Sequence, residues 1–167
     1  IARFENERRL LARLDHPHIA RILDGGRSQA GVPYLVMEFV DGESLTAHCN
    51  RAGLDIPARL ALFQRVCEAV QAAHRHLIVH RDIKPANILV SGKGKVKILD
   101  FGLAKLQSVS GLTSTGVRLG TIAYMSPEQA QGVEVDQRSD IFSLGVVIYE
   151  MLSGVTPFKK DSEIATL

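Results

Sequence analysis

Two short segments near the middle of the chain carry side chains that could handle phosphate and metal. The first reads HRDIKPAN and holds Asp82, Lys84 and Asn87, and the second reads DFG and begins at Asp100. Asp and Asn oxygens suit Mg²⁺, a Lys offers a point charge to a phosphate, and a further Asp can accept the proton of a hydroxyl nucleophile. Such a set suits phosphoryl transfer, in which positioning and charge neutralisation supply most of the catalysis.

A predicted hairpin must bring these two segments together. Short β-rich runs at 88–90 and 96–99 flank the turn sequence SGKGK. Antiparallel pairing places the loop before one strand beside the loop after the other. We therefore expect Asp82, Lys84 and Asn87 to converge with Asp100.

Hydrophobic periodicity and turn residues predict the other elements. Apolar residues at helical spacing predict helices, short β-rich runs around turn residues predict a further hairpin, and a Ser-, Thr- and Gly-rich stretch predicts a functional loop. In chain order these are an amphipathic helix over 2–14, a hairpin of 19–23 with 34–40 around a turn at 24–33, a helix over 57–77 capped by Asp55, the loop at 105–120 and a helix over 140–152 that is apolar on nearly every face.

Composition fits one ordinary domain with a buried core, since 46% of the 167 residues are hydrophobic and 23% are charged. A net charge of +2 argues against a nucleic-acid partner. No apolar run approaches the roughly 18–20 residues that a bilayer requires, so no membrane contact is expected. The two cysteines, Cys49 and Cys67, favour a reducing compartment, and a cytoplasmic location is expected. No Cys or carboxylate at close spacing completes a metal site with His74, His76 and His80.

The two segments belong to a longer ordered set of motifs. Further along the chain come Gly120-Thr121, then Ser126-Pro127-Glu128, and then Asp140 in the apolar helix. The whole set resembles the eukaryotic-type serine/threonine protein kinase family, and a Ser where that family usually has Ala resembles its bacterial members. The resemblance implies an α+β, two-lobed fold. Residues 1–40 would be the end of the small lobe (its helix and last two strands) with the hinge, and 41–167 would be a truncated, mainly helical large lobe.

The resemblance also implies catalytic roles. Asp82 would orient the substrate hydroxyl and accept its proton, and Lys84 would neutralise the γ-phosphate of ATP. Asn87 and Asp100 would hold Mg²⁺, with Mn²⁺ as an alternative ion. Thr121 would link the substrate-docking loop to Asp82 by a hydrogen bond.

ATP would lie between the lobes. By the same resemblance Met37 would form the back of the adenine pocket, Glu38 and Val40 would offer a backbone carbonyl and N–H to the base, and Leu89 would close its lower face. Lys84 and Asp100 would contact the phosphates.

Residues further from the chemistry are implied as well. Glu7 would pair with the ATP-binding lysine of the family, although a plain surface charge stays open for it. The side chains of Leu11, Ile22, Phe101 and His80 would stack as an apolar column between the lobes.

Regulation would depend on the loop at 105–120. Arg81 and Lys105 would form a cationic pocket for a phosphate on Thr113 or Thr115. Self-association of two copies for autophosphorylation is therefore expected, beside ATP and Ser/Thr-containing protein substrates as partners.

Two other classes stay open. A pseudokinase acting as a binding module is disfavoured because Asp82, Asn87 and Asp100 are all present, and a small-molecule phosphotransferase is disfavoured by the docking-loop motifs. In the family a glycine-rich loop and the ATP-binding lysine precede the helix of Glu7. Only six residues precede Glu7 here, so we expect the middle of a kinase domain, inactive alone and weak in binding ATP.

Overall fold

The computed structural model describes residues 14–101 and 122–158, which mix helix and sheet. Of the helix predicted over 2–14 only Leu14 falls within these residues, and the loop predicted over 105–120 lies outside them. The elements are β1 (Ile22–Arg27), β2 (Pro33–Met37), β3 (Gly42–Ser44), α1 (Leu45–Arg51), α2 (Ile56–Arg75), a 3₁₀ turn (Pro85–Asn87), β4 (Ile88–Ser91), β5 (Val96–Ile98), a second 3₁₀ turn (Ile122–Tyr124), α3 (Pro127–Ala130) and α4 (Gln137–Ser153).

The first predicted hairpin is present with different boundaries. β1 and β2 pair antiparallel from Ile22 opposite Met37 to Arg27 opposite Pro33. The turn predicted at 24–33 is too long, because 24–27 continue the strand and the chain reverses over 28–32. The two glycines at 25 and 26 indicated a turn, yet Gly26 provides the space for the ring of Tyr34, whose hydroxyl would lie 3.0 Å from an added Cβ.

The residues before and after this hairpin also depart from the prediction. Ile19 was expected in the first strand but instead forms a parallel bridge with Ile98. The second strand was expected to reach residue 40 but ends at Met37, and one further cross-strand bond follows it, from the Glu38 N–H to the Arg21 carbonyl at 2.9 Å.

The second predicted hairpin is confirmed and forms part of a three-stranded antiparallel sheet in the order β3–β4–β5. Ile88 lies opposite Ile98, and Leu89 lies opposite Ser44 of β3. The turn between β4 and β5 places Gly94 at φ 70°, where a residue without Cβ is favoured. β3 was not predicted, because a strand of three residues carries no readable periodicity.

The long helix predicted over 57–77 is confirmed as α2, together with its cap. The Asp55 carboxylate accepts a hydrogen bond from the Ala58 N–H at 2.9 Å. The helix ends at Arg75, two residues early, since Leu77 adopts φ 59° and is 93% exposed. Its buried face consists of Leu62, Val66, Ala69, Val70 and Ala73.

The helix predicted over 140–152 is confirmed as α4, but the prediction that it is buried on nearly every face is wrong. Val146, Val147 and Met151 are buried, whereas Ile141 is 60% exposed and Tyr149 is 49% exposed. In the described part of the chain, only one stripe of α4 packs against α2 and the core. None of the described helices is both long and apolar enough to cross a bilayer.

One arginine joins the three longer helices. The Arg59 guanidinium, near the start of α2, donates to the carbonyl of Met151 in α4 at 2.6 Å and to that of Cys49 in α1 at 3.3 Å, while its Nε donates to Leu54 at 2.9 Å. These bonds satisfy carbonyls near the ends of α1 and α4 and join both helices to the start of α2.

Candidate active site

The segment between α2 and β4 folds back on itself so that three of the predicted residues meet. The ammonium of Lys84 lies 2.7 and 3.0 Å from the two carboxylate oxygens of Asp82. The amide of Asn87 donates to the Asp82 carboxylate at 3.0 Å and to its backbone carbonyl at 2.8 Å. Pro85 favours this geometry because its fixed φ begins the 3₁₀ turn that returns Asn87 toward Asp82.

Asp100 belongs to the same cluster of charges. The Leu99 N–H donates to the Asn87 carbonyl at 2.8 Å, which fixes the end of β5 beside the start of β4. Burial, with the negative charge of Asp82 nearby, raises the pKa of Asp100 although His80 and Lys84 act in the other direction. The expected convergence of Asp82, Lys84, Asn87 and Asp100 is therefore present in the fold.

His80 lies beneath this cluster and is completely buried. Its Nδ1 accepts the Asp82 N–H at 3.2 Å, so the ring proton is on Nε2, which donates to the Leu99 carbonyl at 2.8 Å. Burial lowers the pKa of His80, in keeping with this neutral tautomer. Its ring meets that of Phe101 edge-on with centroids 4.6 Å apart. Two of the four side chains of the predicted apolar column, His80 and Phe101, are therefore in contact. Ile22 packs against the hydrophobic core that contains Phe101.

Asp140, at the start of α4, holds the backbone of the segment before Asp82. One carboxylate oxygen accepts the Arg81 N–H at 2.8 Å, and the other accepts the His80 N–H at 2.8 Å and Nε2 of His74 at 2.7 Å. From the sequence, Asp140 was predicted only as a motif position in the apolar helix. An Asp in the first turn of a helix is common without any buried partner, so residue type alone did not reveal these bonds.

The predicted adenine contacts lie along the chain from β2 to β4. Met37 lines a small recess together with Ile19, Asp100 and Phe101. The carboxylate of Glu38 pairs with the Lys97 ammonium and accepts the Arg21 N–H at 3.1 Å. Although burial opposes it, the Lys97 hydrogen bond lowers the pKa of Glu38.

The prediction assigned the backbone carbonyl of Glu38, not its carboxylate, to the adenine base, and this role stays a prediction. Val40 and Leu89 are both half-buried. Their roles at the base stay predictions.

Comparison with known proteins decides the family. Residues 2–166 match the family described as the protein kinase domain. The chain belongs to this family. The kinase domain is 43% identical over 166 residues to a probable serine/threonine-protein kinase PknB of Lactococcus lactis, and 43% identical over 169 residues to the serine/threonine-protein kinase PknB of Mycolicibacterium smegmatis.

These matches cover 99% and 98% of the chain but 26% and 27% of the two relatives, so the chain spans about a quarter of their length. A serine/threonine-protein kinase PknL of Mycobacterium tuberculosis is 43% identical over 166 residues, which is 41% of its length. The matches bear out the resemblance to bacterial members of the family.

The kinase residues fit a hard cation beside Asp82. Asn87 uses its N–H donors on Asp82, which leaves its carbonyl oxygen as an acceptor. No side chain in the described residues donates a hydrogen bond to the Asp100 carboxylate. A bound cation would offset the cost of burying the negative charge of this carboxylate. The described residues contain no group of three His, Cys, Asp or Glu that could hold a metal. Asn87 and Asp100 would hold Mg²⁺ through their side-chain oxygens, the type of ligand that this ion prefers.

Several predicted site residues lie outside the described residues. They are Glu7, Leu11, Gly102, Lys105, Thr113, Thr115 and Thr121. Arg81, the other member of the predicted phosphate pocket, is described and half-buried, with its backbone at φ 71°.

Proposed function

We propose that the protein containing this chain is an ATP-dependent serine/threonine protein kinase, which transfers the γ-phosphate of ATP to Ser and Thr hydroxyls of proteins. The observation that carries the proposal is the contact of Lys84 and Asn87 with the Asp82 carboxylate, within a chain of the protein kinase domain family. The serine/threonine-protein kinase names of the relatives support the choice of acceptor.

Asp82 is proposed to act on the acceptor. Its side chain is 32% exposed, so a substrate hydroxyl can approach it. The hydroxyl oxygen forms a bond to the γ-phosphorus as the bond from that phosphorus to the bridging oxygen of ADP breaks. The hydroxyl proton passes to Asp82, which orients the nucleophile before transfer. Asn87 fixes the carboxylate through its amide, and the Asp82 N–H bond to His80 fixes the backbone.

Lys84 is proposed to neutralise two negative groups, the Asp82 carboxylate and the γ-phosphate. Its ammonium lies 2.7 Å from Asp82, and a γ-phosphate beside the same cation would have its developing charge neutralised. Mg²⁺, when bound at Asn87 and Asp100, supplies a Lewis acid that neutralises and aligns the phosphate oxygens. The adenine contacts of Met37, Glu38, Val40 and Leu89 are part of the same proposal.

Three finer predictions go with the proposal. Self-association of two copies would allow autophosphorylation at Thr113 or Thr115. Arg81 and Lys105 would bind the resulting phosphate. The need for ATP favours a cytoplasmic location for this segment.

Replacing Asp82 tests the proposal. In the full-length product of the gene that encodes this chain, Asp82→Asn should lower kcat about 100- to 10,000-fold, because the base is lost while the shape is kept. The KM for ATP should change little, and the measurement is transfer of radiolabelled γ-phosphate to a generic protein acceptor. Asp55→Asn is the matched control, since Asn caps a helix as well as Asp does.

The outcomes distinguish the alternatives. A wild-type protein that binds ATP but transfers no phosphate to protein would favour the pseudokinase. Transfer to small alcohols rather than to protein would favour the small-molecule phosphotransferase.

A further inference from the structure

Arg81, immediately before Asp82, has a strained backbone that neighbouring elements hold in place. It adopts φ 71°, in the left-handed region that residues with a Cβ rarely occupy. Such a conformation persists only when the surroundings over-determine it. The Arg81 peptide groups therefore need partners on both sides, and the orientation of the Arg81–Asp82 peptide sets where the Asp82 carboxylate points.

The partner on the N–H side is on α4. A carboxylate oxygen of Asp140 accepts the Arg81 N–H at 2.8 Å. The partner on the carbonyl side is on α3, where the side-chain amide of Gln129 donates to the Arg81 carbonyl at 2.7 Å. The peptide that leads into Asp82 is thus held from two different helices.

Gln129 is itself held in a fixed orientation. Its Oε1 accepts the Ser126 N–H at 3.0 Å, and its backbone N–H donates to the Ser126 hydroxyl at 3.3 Å, which together form a capping box. Ser126 is fully buried. Since Oε1 is engaged at the cap, Nε2 must face Arg81, and the side chain cannot flip without losing both bonds.

The segment that carries Gln129 is fixed in turn on α4. The Ser143 hydroxyl donates to the Tyr124 carbonyl at 2.8 Å, and the Ser139 hydroxyl donates to the Glu128 carboxylate. The segment at 122–131, the segment of Asp82 and α4 therefore form a closed triangle of hydrogen bonds. Gln129 provides a direct side-chain bond from the first of these to the second.

We infer that Gln129 is a positioning residue for Asp82, acting through the Arg81 carbonyl in addition to capping α3. This inference rests on the proposed kinase activity and adds a residue to its machinery. Loss of the Nε2–Arg81 bond should free the peptide before Asp82 and misplace the carboxylate, which lowers kcat with little effect on substrate binding.

Gln129→Glu separates positioning from capping. A Glu at this position keeps the cap, because its carboxylate still accepts the Ser126 N–H. The ionised carboxylate has no proton to donate, and it places an oxygen against the Arg81 carbonyl. A protonated Glu can donate again, so lowering the pH should restore the bond. Arg81 and Asp82 are charged and line the same recess as Gln129, so pH can also change the activity of the wild-type protein. Each variant is therefore compared with the wild-type protein at the same pH.

The experiment uses steady-state kinetics on the full-length gene product, with ATP and a Ser/Thr peptide. At about pH 8, Gln129→Glu should lower kcat about 10- to 100-fold with each KM within about twofold of wild type. The ratio of mutant to wild-type kcat should rise as the pH falls toward about 5.5. Gln129→Met, whose thioether has no proton to donate, should lower kcat by a ratio that does not change with pH, and it tests the inference if Gln129→Glu does not fold.

Ser126→Ala is the matched control for capping, since it removes the hydroxyl of the cap and leaves the Gln129 amide opposite Arg81. It should lower the Tm without lowering kcat more than about twofold. The inference is overturned if Gln129→Glu or Gln129→Met retains the wild-type kcat at about pH 8. A wild-type protein without transferase activity would instead refute the proposed function.

Discussion

At the scale of single residues, the site depends on which atoms carry protons. The sequence predicted Asp82, Lys84, Asn87 and Asp100 as one group, because their motifs flank a hairpin whose turn is easy to recognise. It did not reveal that His80 is neutral with its proton on Nε2, since that follows from its two backbone partners, the Asp82 N–H and the Leu99 carbonyl. Hydrogen bonds to backbone groups cannot be predicted from residue types, because every residue carries the same backbone carbonyl.

The buried His80 predicts a pH dependence of stability. Burial lowers the pKa of His80 in the folded protein, so below about pH 6.5 the unfolded chain binds a proton that the folded protein resists. The contribution of His80 to stability is thus present above that pH and is lost as the pH falls toward the lowered pKa. In His80→Phe the free energy of unfolding should fall by about 1–2 kcal/mol at pH 8, since the Asp82 N–H and Leu99 carbonyl lose their partner.

This difference between wild type and His80→Phe should shrink as the pH is lowered. Urea unfolding at several pH values measures it in both proteins. His76→Gln removes an exposed histidine and is the control, with the wild-type dependence expected. A constant difference across the pH range would show that His80 protonation is not linked to folding.

At the scale of elements, a helix cap and a turn sequence were enough to predict a helix and a hairpin. Asp55 begins α2 as predicted, and the β4–β5 hairpin follows its SGKGK turn. The errors have local causes: glycines inside β1 were interpreted as a turn, and the apolar content of α4 was interpreted as burial on all sides. Hydrophobic residues do not report what covers them, and Ile141 remains 60% exposed in the described structure.

The close approach of β3 to β4 predicts the effect of a glycine substitution. A Cβ added to Gly42 would lie 2.7 Å from the Val90 carbonyl oxygen and 2.9 Å from its carbon. Both are backbone atoms that cannot rotate away. Gly42→Ala should therefore lower the free energy of unfolding by about 1–3 kcal/mol, measured by urea unfolding.

Gly92, in the β4–β5 turn, provides the matched control. An added Cβ there meets no atom within 4 Å, and its φ is not positive. Gly92→Ala should leave stability unchanged or raise it by up to about 1 kcal/mol. Equal stability of the two alanine variants would contradict the close packing of β3 on β4.

At the scale of the whole molecule, α4 connects the segment of Asp82 to the hydrophobic core. Its buried stripe packs against α2, while its first turns hold the segment of Asp82 through Asp140 and the segment at 122–131 through Ser139 and Ser143. The family could be predicted from the order of the motifs. The hydrogen bonds that join residues about sixty positions apart could not, because they depend on how the helices pack.

Asp140 joins three parts of the molecule at one carboxylate. Only 1% exposed, it accepts hydrogen bonds from the backbone of His80 and Arg81 and from His74 of α2. In Asp140→Asn one oxygen becomes an NH₂ group, which would oppose N–H donors. The free energy of unfolding should fall by about 3 kcal/mol, and kcat should fall at least about 10-fold as the Arg81 backbone relaxes.

Amide hydrogen exchange tests this loss of order directly. Exchange at residues 80–82 should accelerate in Asp140→Asn, while the β4–β5 hairpin should stay protected because its own ladder is intact. Asp136→Asn is the matched control on the same helix: Asp136 caps α4 by accepting the Arg138 N–H at 2.8 Å, and Asn caps equally well. If Asp140→Asn showed wild-type kcat and wild-type exchange, the left-handed backbone at Arg81 would not depend on the Asp140 carboxylate. Other contacts would then hold the segment of Asp82 against the core.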